Sequence, residues 1–330
     1  RRALRAMGGA LSSWFVPAPS ASSLRTTSHL CSGSSTALQA RYQELAAQLP
    51  QRGFEERALQ HARESFALGA DGSWRPRRYD EAPWSLPPNV VRVLALSISD
   101  AQLNGASRSV GEVALRAAAD LARQLPAGAK SWMPELSSLH ATIFHPGLAP
   151  GTTGSARLVA PSAQALDKEL HTARRFASSV PANLTLVVDR LTVSPSGVML
   201  LLLRPAYDGG RVCIDSMRAA AAKLFPDAAT KQAKGVLHVS LLRILALPSG
   251  QYGPSAAAAR VAHAVCERWS AQLRGARVSM RGLVYVREEQ IITLRGAWRR
   301  LPFGGRRKRR LGPAERKLFR VIWGDRDLAR

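Results

Sequence analysis

Two stretches of this 330-residue chain pair a histidine with a hydroxyl residue across one spacer, each inside an apolar run: SSLHATIFH at Ser137–His145 and GVLHVSLLR at Gly235–Arg243. In a strand, residues i and i+2 point to one face. His140 and Thr142 therefore share a face, with Leu139, Ala141 and Ile143 on the other; His238 and Ser240 likewise stand opposite Leu237, Val239 and Leu241. Such a set holds no nucleophile and no metal cage. It suits a substrate that brings its own leaving oxygen and needs proton traffic. Histidine titrates near neutrality, so one imidazole can take a proton from water while the other gives one to a departing oxygen, and either histidine fits either role. The hydroxyls can hydrogen-bond the non-bridging oxygens of a phosphoryl group and hold it in line. A phosphodiester with a built-in leaving oxygen, such as a cyclic phosphate, is the natural fit.

With seven histidines in the chain, one His-x-Ser/Thr is no surprise. The elements around the pair carry more weight. Apolar spacing and β-branched content predict a strand at Val90–Ser99, a helix at Ser109–Leu125, and then the His140 strand. A helix from about Ser162 to Ser178 and strands at Asn183–Val193 and Val198–Pro205, joined by the turn SPSG, complete one unit. The order then returns: a helix from about Gly210 to Leu224, the His238 strand, a helix from about Ser255 to Leu273, and strands at Ala276–Val286 and Ile291–Leu294 around the turn REEQ. The histidines are 98 residues apart and the two hairpins about 93, so one unit of α+β architecture is written twice. If a pseudo-twofold relates the halves, both His/hydroxyl faces meet in one cavity.

HATI and HVSL in this duplicated context resemble the paired H-x-[ST]-hydrophobic signatures of the 2H phosphoesterase superfamily. HVSLLR is also similar to the H-x-T-L-x-R form of RNA 2′,3′-cyclic phosphodiesterases. The resemblance spans residues 88–296. It implies an α+β bilobal fold, two antiparallel sheets around a central cleft with helices outside, and metal-independent chemistry on 2′,3′-cyclic or related phosphodiesters with no cofactor. It places His140 and His238 as the catalytic pair and Thr142 and Ser240 on the phosphate. Arg243, five residues after His238, is turned away from the cleft by strict alternation unless the strand twists or ends. Phe144 shares the parity of His140 and is placed to stack on a base or to pack in the core. His145 has the opposite parity, and Pro146 follows it, which reads as a strand end.

Charge points to the partner. The formal net charge is +24. The first 43 residues hold five Arg and no acid, and residues 295–330 hold thirteen Lys/Arg against three Asp/Glu. Strongly cationic ends on a mildly basic middle favour a polyanion, RNA above all; the resemblance adds a small cyclic nucleotide as the other partner it implies. The run Arg306, Arg307, Lys308, Arg309, Arg310 is a candidate anchor for an RNA backbone, a nuclear-import signal or a solvated charge run. The organisation expected is a Ser/Ala/Arg-rich segment at 1–40 that fits an organelle transit peptide, mitochondrial or plastid. Short helices and a Pro/Gly/Trp linker follow at 41–87. The domain comes next at 88–296, with lobes at about 88–205 and 206–296, and then a basic tail at 297–330. Cys31, Cys213 and Cys266 are scattered without C-x-x-C spacing, which favours inert thiols in a reducing compartment. No apolar run reaches membrane-spanning length, and Gly151–Ala156, GTTGSA, lacks the Lys of a triphosphate loop. The reading leans to an enzyme. The alternative is a non-catalytic RNA-binding member of the same fold within an organellar ribonucleoprotein such as a ribosome.

Overall fold

The computed structural model describes residues 35–99, 101, 109–147, 159–182, 184–206, 214–228, 236–248 and 254–304. Residues 1–34 of the segment expected to fit a transit peptide, with Cys31, and also Cys213, GTTGSA and the Arg306–Arg310 run lie outside the described residues. Two sheets form the domain. The first is built from β3 (Arg92–Ser97), β5 (His140–Phe144), β10 (Gly282–Glu288) and β11 (Gly296–Pro302), in the order β11-β10-β3-β5. The second is built from β4 (Lys130–Trp132), β6 (Leu184–Val193), β7 (Val198–Pro205), β8 (Leu237–Ala246) and β9 (Arg277–Met280), in the order β4-β8-β7-β6-β9. All their pairings are antiparallel, and β5 lies against β8, so the two histidine strands meet where the sheets meet.

The sheets do not follow the sequence halves. The β6–β7 hairpin pairs with the His238 strand, and β10–β11 belongs with the His140 strand. Each lobe therefore borrows a hairpin from the other half, instead of lobes closing at 88–205 and 206–296. The crossing point is hidden inside one apolar run. Residues 276–286, expected as one strand, split into β9 in the second sheet and β10 in the first. Gly282 sits at the switch, where an added Cβ would stand 2.5 Å from the carbonyl oxygen of Leu301. Ile291–Leu294 is likewise turn rather than strand, and the strand of that hairpin is β11.

Helices pack on the outer faces: α3 (Val110–Gln124) against β8 and α6 (Pro254–Leu273), α4 (Ala163–Ser179) against β10 and β11, α5 (Ile214–Leu224) against β5, and α6 against β6. Local chemistry sets their starts. Ser109 and Glu112 form a reciprocal capping box at α3, and Ser162 accepts from the Ala165 N–H at α4; each cap satisfies backbone donors that the first turn leaves open. The apolar faces of both sheets and of these helices form one core, including Leu94, Leu139, Ile143, Val239, Leu241 and Phe176. The turn SPSG joins β6 to β7, and Gly197 in it has φ +79°, the left-handed region that glycine enters without penalty.

In the 41–87 segment the helices are followed by a small hairpin inside the stretch expected as linker. Helix α1 (Ser35–Arg52) and α2 (Glu56–Glu64) lead into a two-stranded hairpin, β1 (Phe66–Leu68) and β2 (Trp74–Pro76). Leu38, Tyr42 and Leu45 of α1 pack on Val198, Leu200, Leu202 and Val236. Buried Tyr42 donates its hydroxyl to the Leu203 carbonyl at 2.6 Å and accepts from the Leu237 N–H at 3.0 Å, bridging the ends of β7 and β8. No described helix is long and apolar enough to cross a membrane.

Candidate functional site

Register decides which side chains share the histidine face. On β5 the pairs with β3 run His140↔Ser97, Ala141↔Leu96 and Thr142↔Ala95, then jump to Phe144↔Leu94. Ile143 has no partner of its own: it is a β-bulge, and a bulge inserts one residue and inverts the alternation beyond it. On β8 the pairs with β7 run His238↔Leu202, Val239↔Leu201 and Ser240↔Leu200, then jump to Leu242↔Met199 and Arg243↔Val198. Leu241 is a second bulge. Both histidine strands thus carry a bulge at the same place, one residue after the hydroxyl.

These bulges reassign three residues that simple alternation places otherwise. Phe144 turns away from the histidine face into the core, 3% exposed, and stacks on Phe225 with ring centroids 5.8 Å apart. It packs and does not line the cleft. Arg243 is turned back onto the face of His238 and Ser240, because its partner Val198 shares a face with Leu200 and Leu202. His145, one residue past the end of β5, follows His140 by the same five residues that separate Arg243 from His238. It is buried, its ring hydrogen-bonds the main chain of Arg92, and it lies close enough to His140 for the two charges to interact. Its Nδ1 has no hydrogen-bond partner.

The four signature residues His140, Thr142, His238 and Ser240 are all half-buried on this shared surface. His140 Nδ1 lies 2.8 Å from the Ser138 carbonyl. A carbonyl only accepts, so Nδ1 carries the proton and donates, leaving Nε2 for the cleft. His238 Nδ1 is buried without a hydrogen-bond partner. Burial pushes both imidazoles below their ordinary value, His238 to about 4, and nearby charge deepens the effect: Arg218, His140 and Arg243 on His238, and Arg243 on His140. Both rings are neutral at neutral pH. Burial also lowers the Arg243 guanidinium, to about 9, which keeps it cationic at pH 7.

Arg218 of α5 is the residue that pattern reasoning misses. It is buried, and its Nη2 and Nε donate to the carbonyls of Thr142 and Ile143 at 3.1 and 3.3 Å, at the β5 bulge. Its charge acts on His238 across the strand boundary. One side chain therefore holds the backbone under Thr142 and places a cation beside the second histidine. Its only sequence signal is an Arg among the alanines of an apolar helix, IDSMRAAAAKL. Around these groups, Trp132 of β4 pairs with Arg243 and so joins the same face, and α1 covers Leu200 and Leu202 beside Ser240 and His238. Among the described residues no three His, Cys, Asp or Glu side chains converge as a metal cage. Cys266 is buried in α6, its thiol pushed up to about 12 by burial.

The α+β arrangement, two antiparallel sheets meeting at the histidine strands with helices packed on them, agrees with the architecture that the paired motifs lead one to expect. No protein-family profile matches the chain, and no curated protein matches it by sequence. Solved structures similar to it include the following three. A conserved protein of unknown function, ATU0111, from Agrobacterium tumefaciens strain C58 has 12% identity over 72% of this chain and 97% of that one, with TM-score 0.42. The protein TT0787 of Thermus thermophilus has 15% identity over 66% and 99%, with TM-score 0.38. Usb1 of Kluyveromyces marxianus has 11% identity over 65% and 99%, with TM-score 0.40. These likenesses are distant, and the fold rests on strand order and register.

Proposed function

We infer that the chain is a 2H-type phosphoesterase that opens a 2′,3′-cyclic phosphate, on an RNA end or a small cyclic nucleotide. The observation that carries this reading is the meeting of two strands whose shared faces bear both imidazoles, both hydroxyls and Arg243, with buried Arg218 behind β5 and the charges of both arginines acting on His238. Thr142 and Ser240 hydrogen-bond the non-bridging oxygens, and Arg243 supplies charge to the phosphoryl group. One histidine takes a proton from water as its oxygen bonds to phosphorus. The other gives a proton to the ribose oxygen as the old phosphorus–oxygen bond breaks. One bond forms, one breaks, and the proton balance closes between two imidazoles.

The electrostatics support this use. Burial lowers both imidazoles first, and the charge of Arg243, joined at His238 by Arg218, lowers them further; these cations are the groups an anionic phosphoryl would neutralise. Binding substrate offsets that charge contribution and favours the protonated form that the acid needs. A site whose substrate brings the missing charge stays quiet until that substrate binds.

The test is to incubate the protein with a short RNA bearing a 2′,3′-cyclic phosphate in EDTA, following the mass of the 3′ end. The expected product gains one water and keeps a phosphomonoester. No turnover, with RNA still bound, would replace this reading with the non-catalytic RNA-binding one, which the basic ends of the chain favour.

A further inference from the structure

The first sheet carries a row of aligned residues outward from the site. Thr142 pairs with Ala95, Ala95 with Val284, and Val284 with Arg300. Cross-strand partners share a face, so Arg300 on the edge strand β11 stands on the face of His140 and Thr142. Trp298, two residues earlier and paired with Val286, stands there too. Three strand spacings of about 4.8 Å separate this edge from the histidine strand, roughly 14 Å. The opposite face of β11 carries Leu301 into the core beneath α4.

Trp298 is 48% exposed, the one exposed large aromatic among the described residues. An indole left in water forgoes much of the gain of its burial. It is also held: the Arg300 guanidinium carbon lies 5.5 Å from the ring centroid, in the cation–π range. Arg300 is exposed with it, so this face of the edge pairs a flat apolar surface with cationic charge. Between edge and site lie Val93, Ala95, Val284 and Val286, a buried apolar cluster against which Leu294 packs.

We propose that Trp298, with Arg300, is a stacking subsite for a nucleobase of single-stranded RNA, a few nucleotides away from the reacting phosphate. A ring face accepts any base, and the arginine holds the adjoining backbone phosphate, the combination by which sequence-tolerant single-strand binding works. This deepens the phosphoesterase reading and rests on it. A protein partner would use the same indole differently, without regard to RNA length.

The experiment compares wild type, Trp298→Ala and Trp298→Phe as full chains. Dissociation constants are measured for a dinucleotide and for a longer uridine strand, and KM for a nucleoside 2′,3′-cyclic phosphate. Stacking is worth about 1–3 kcal/mol per base. Trp298→Ala is therefore expected to weaken the longer strand tenfold or more, to leave the dinucleotide and KM unchanged, and to be partly rescued by Phe. Equal binding of the longer strand by Trp298→Ala and wild type would overturn the proposal, as would equal losses on every ligand. If no substrate turns over, the phosphoesterase reading fails, yet the length-dependent loss in binding still decides for or against the subsite.

Discussion

Arg243 and His238, five residues apart, stand on one face of β8 because the bulge at Leu241 adds a residue between them. Strict alternation would have sent the guanidinium into the core. Instead its charge reaches both imidazoles of the site.

Removing that charge has two expected effects. Arg243→Gln takes a cation from the phosphoryl group, and kcat/KM is expected to fall about a hundredfold. The same change relieves the histidines, so their pKa rises and the acidic limb of the pH–rate profile moves to higher pH. Arg243→Lys keeps the limb in place and recovers part of the rate, since charge survives but the planar fork does not. A full pH profile of the three proteins checks this.

Arg218 acts through Thr142. Its two donors serve the carbonyls of Thr142 and of the unpaired Ile143 on the edge strand β5. Arg218→Ala leaves those buried oxygens without the donor, at a cost of about 2–3 kcal/mol, and removes a cation beside His238. Arg218→Lys keeps the cation and loses the two-pronged contact. The expected result by thermal melts and kinetics is that both variants lose stability, while only Ala shifts the pH limb.

Phe144 belongs to the core, so its substitution reads out in stability. Phe144→Ala is expected to cost about 3–5 kcal/mol and Phe144→Leu about 1 kcal/mol. Urea unfolding gives the first quantity, and an unchanged KM for Phe144→Leu checks that the ring does not touch substrate.

Glu288 gives a pH dependence of stability. Its Oε1 accepts the N–H groups of Thr293 and Leu294, and its Oε2 accepts the Tyr79 hydroxyl, anchoring the turn that carries Ile292 and Leu294 at positive φ. Burial raises the carboxyl from 4.5 to about 7. With the folded value above the unfolded one, the contribution is fully present below about pH 4.5 and is lost as pH rises through about 7. The loss amounts to about 3 kcal/mol at about 1.36 kcal/mol per unit. Glu288→Gln keeps both N–H contacts and offers its amide to Tyr79, so it is expected to remove this slope and to equal or exceed wild type at pH 8. Denaturant unfolding at pH 5 and pH 8 measures both.

The two-histidine surface is legible in the sequence because a strand's two-residue period acts over short stretches, and His140/Thr142 and His238/Ser240 precede any irregularity. Beyond Thr142 and Ser240 the period fails, since an unpaired Ile143 or Leu241 looks like any other apolar residue. Simple alternation misplaces Arg243, Phe144 and His145 for that one reason. The hairpin exchange is illegible for a related one: Ala276–Val286 is continuous in hydropathy, and only the partner strands reveal that Arg281 and Gly282 pass from one sheet to the other. Arg218 enters the site through tertiary packing of α5 on β5, which local pattern does not encode. The α+β class and most helices are readable, since caps such as Ser109 with Glu112 are local chemistry.

The central claim is that His140 and His238 work as one proton-transfer pair. Hydrolysis of a 2′,3′-cyclic phosphate RNA by wild type, His140→Ala, His238→Ala and the double variant tests it most directly. A positioned acid or base contributes about 10²–10⁴-fold, and groups that act as a unit lose their effect together. Each single variant is expected to fall by that order, and the double variant to be little worse than either. Independent, multiplying losses, or wild-type turnover in either single variant, would contradict it.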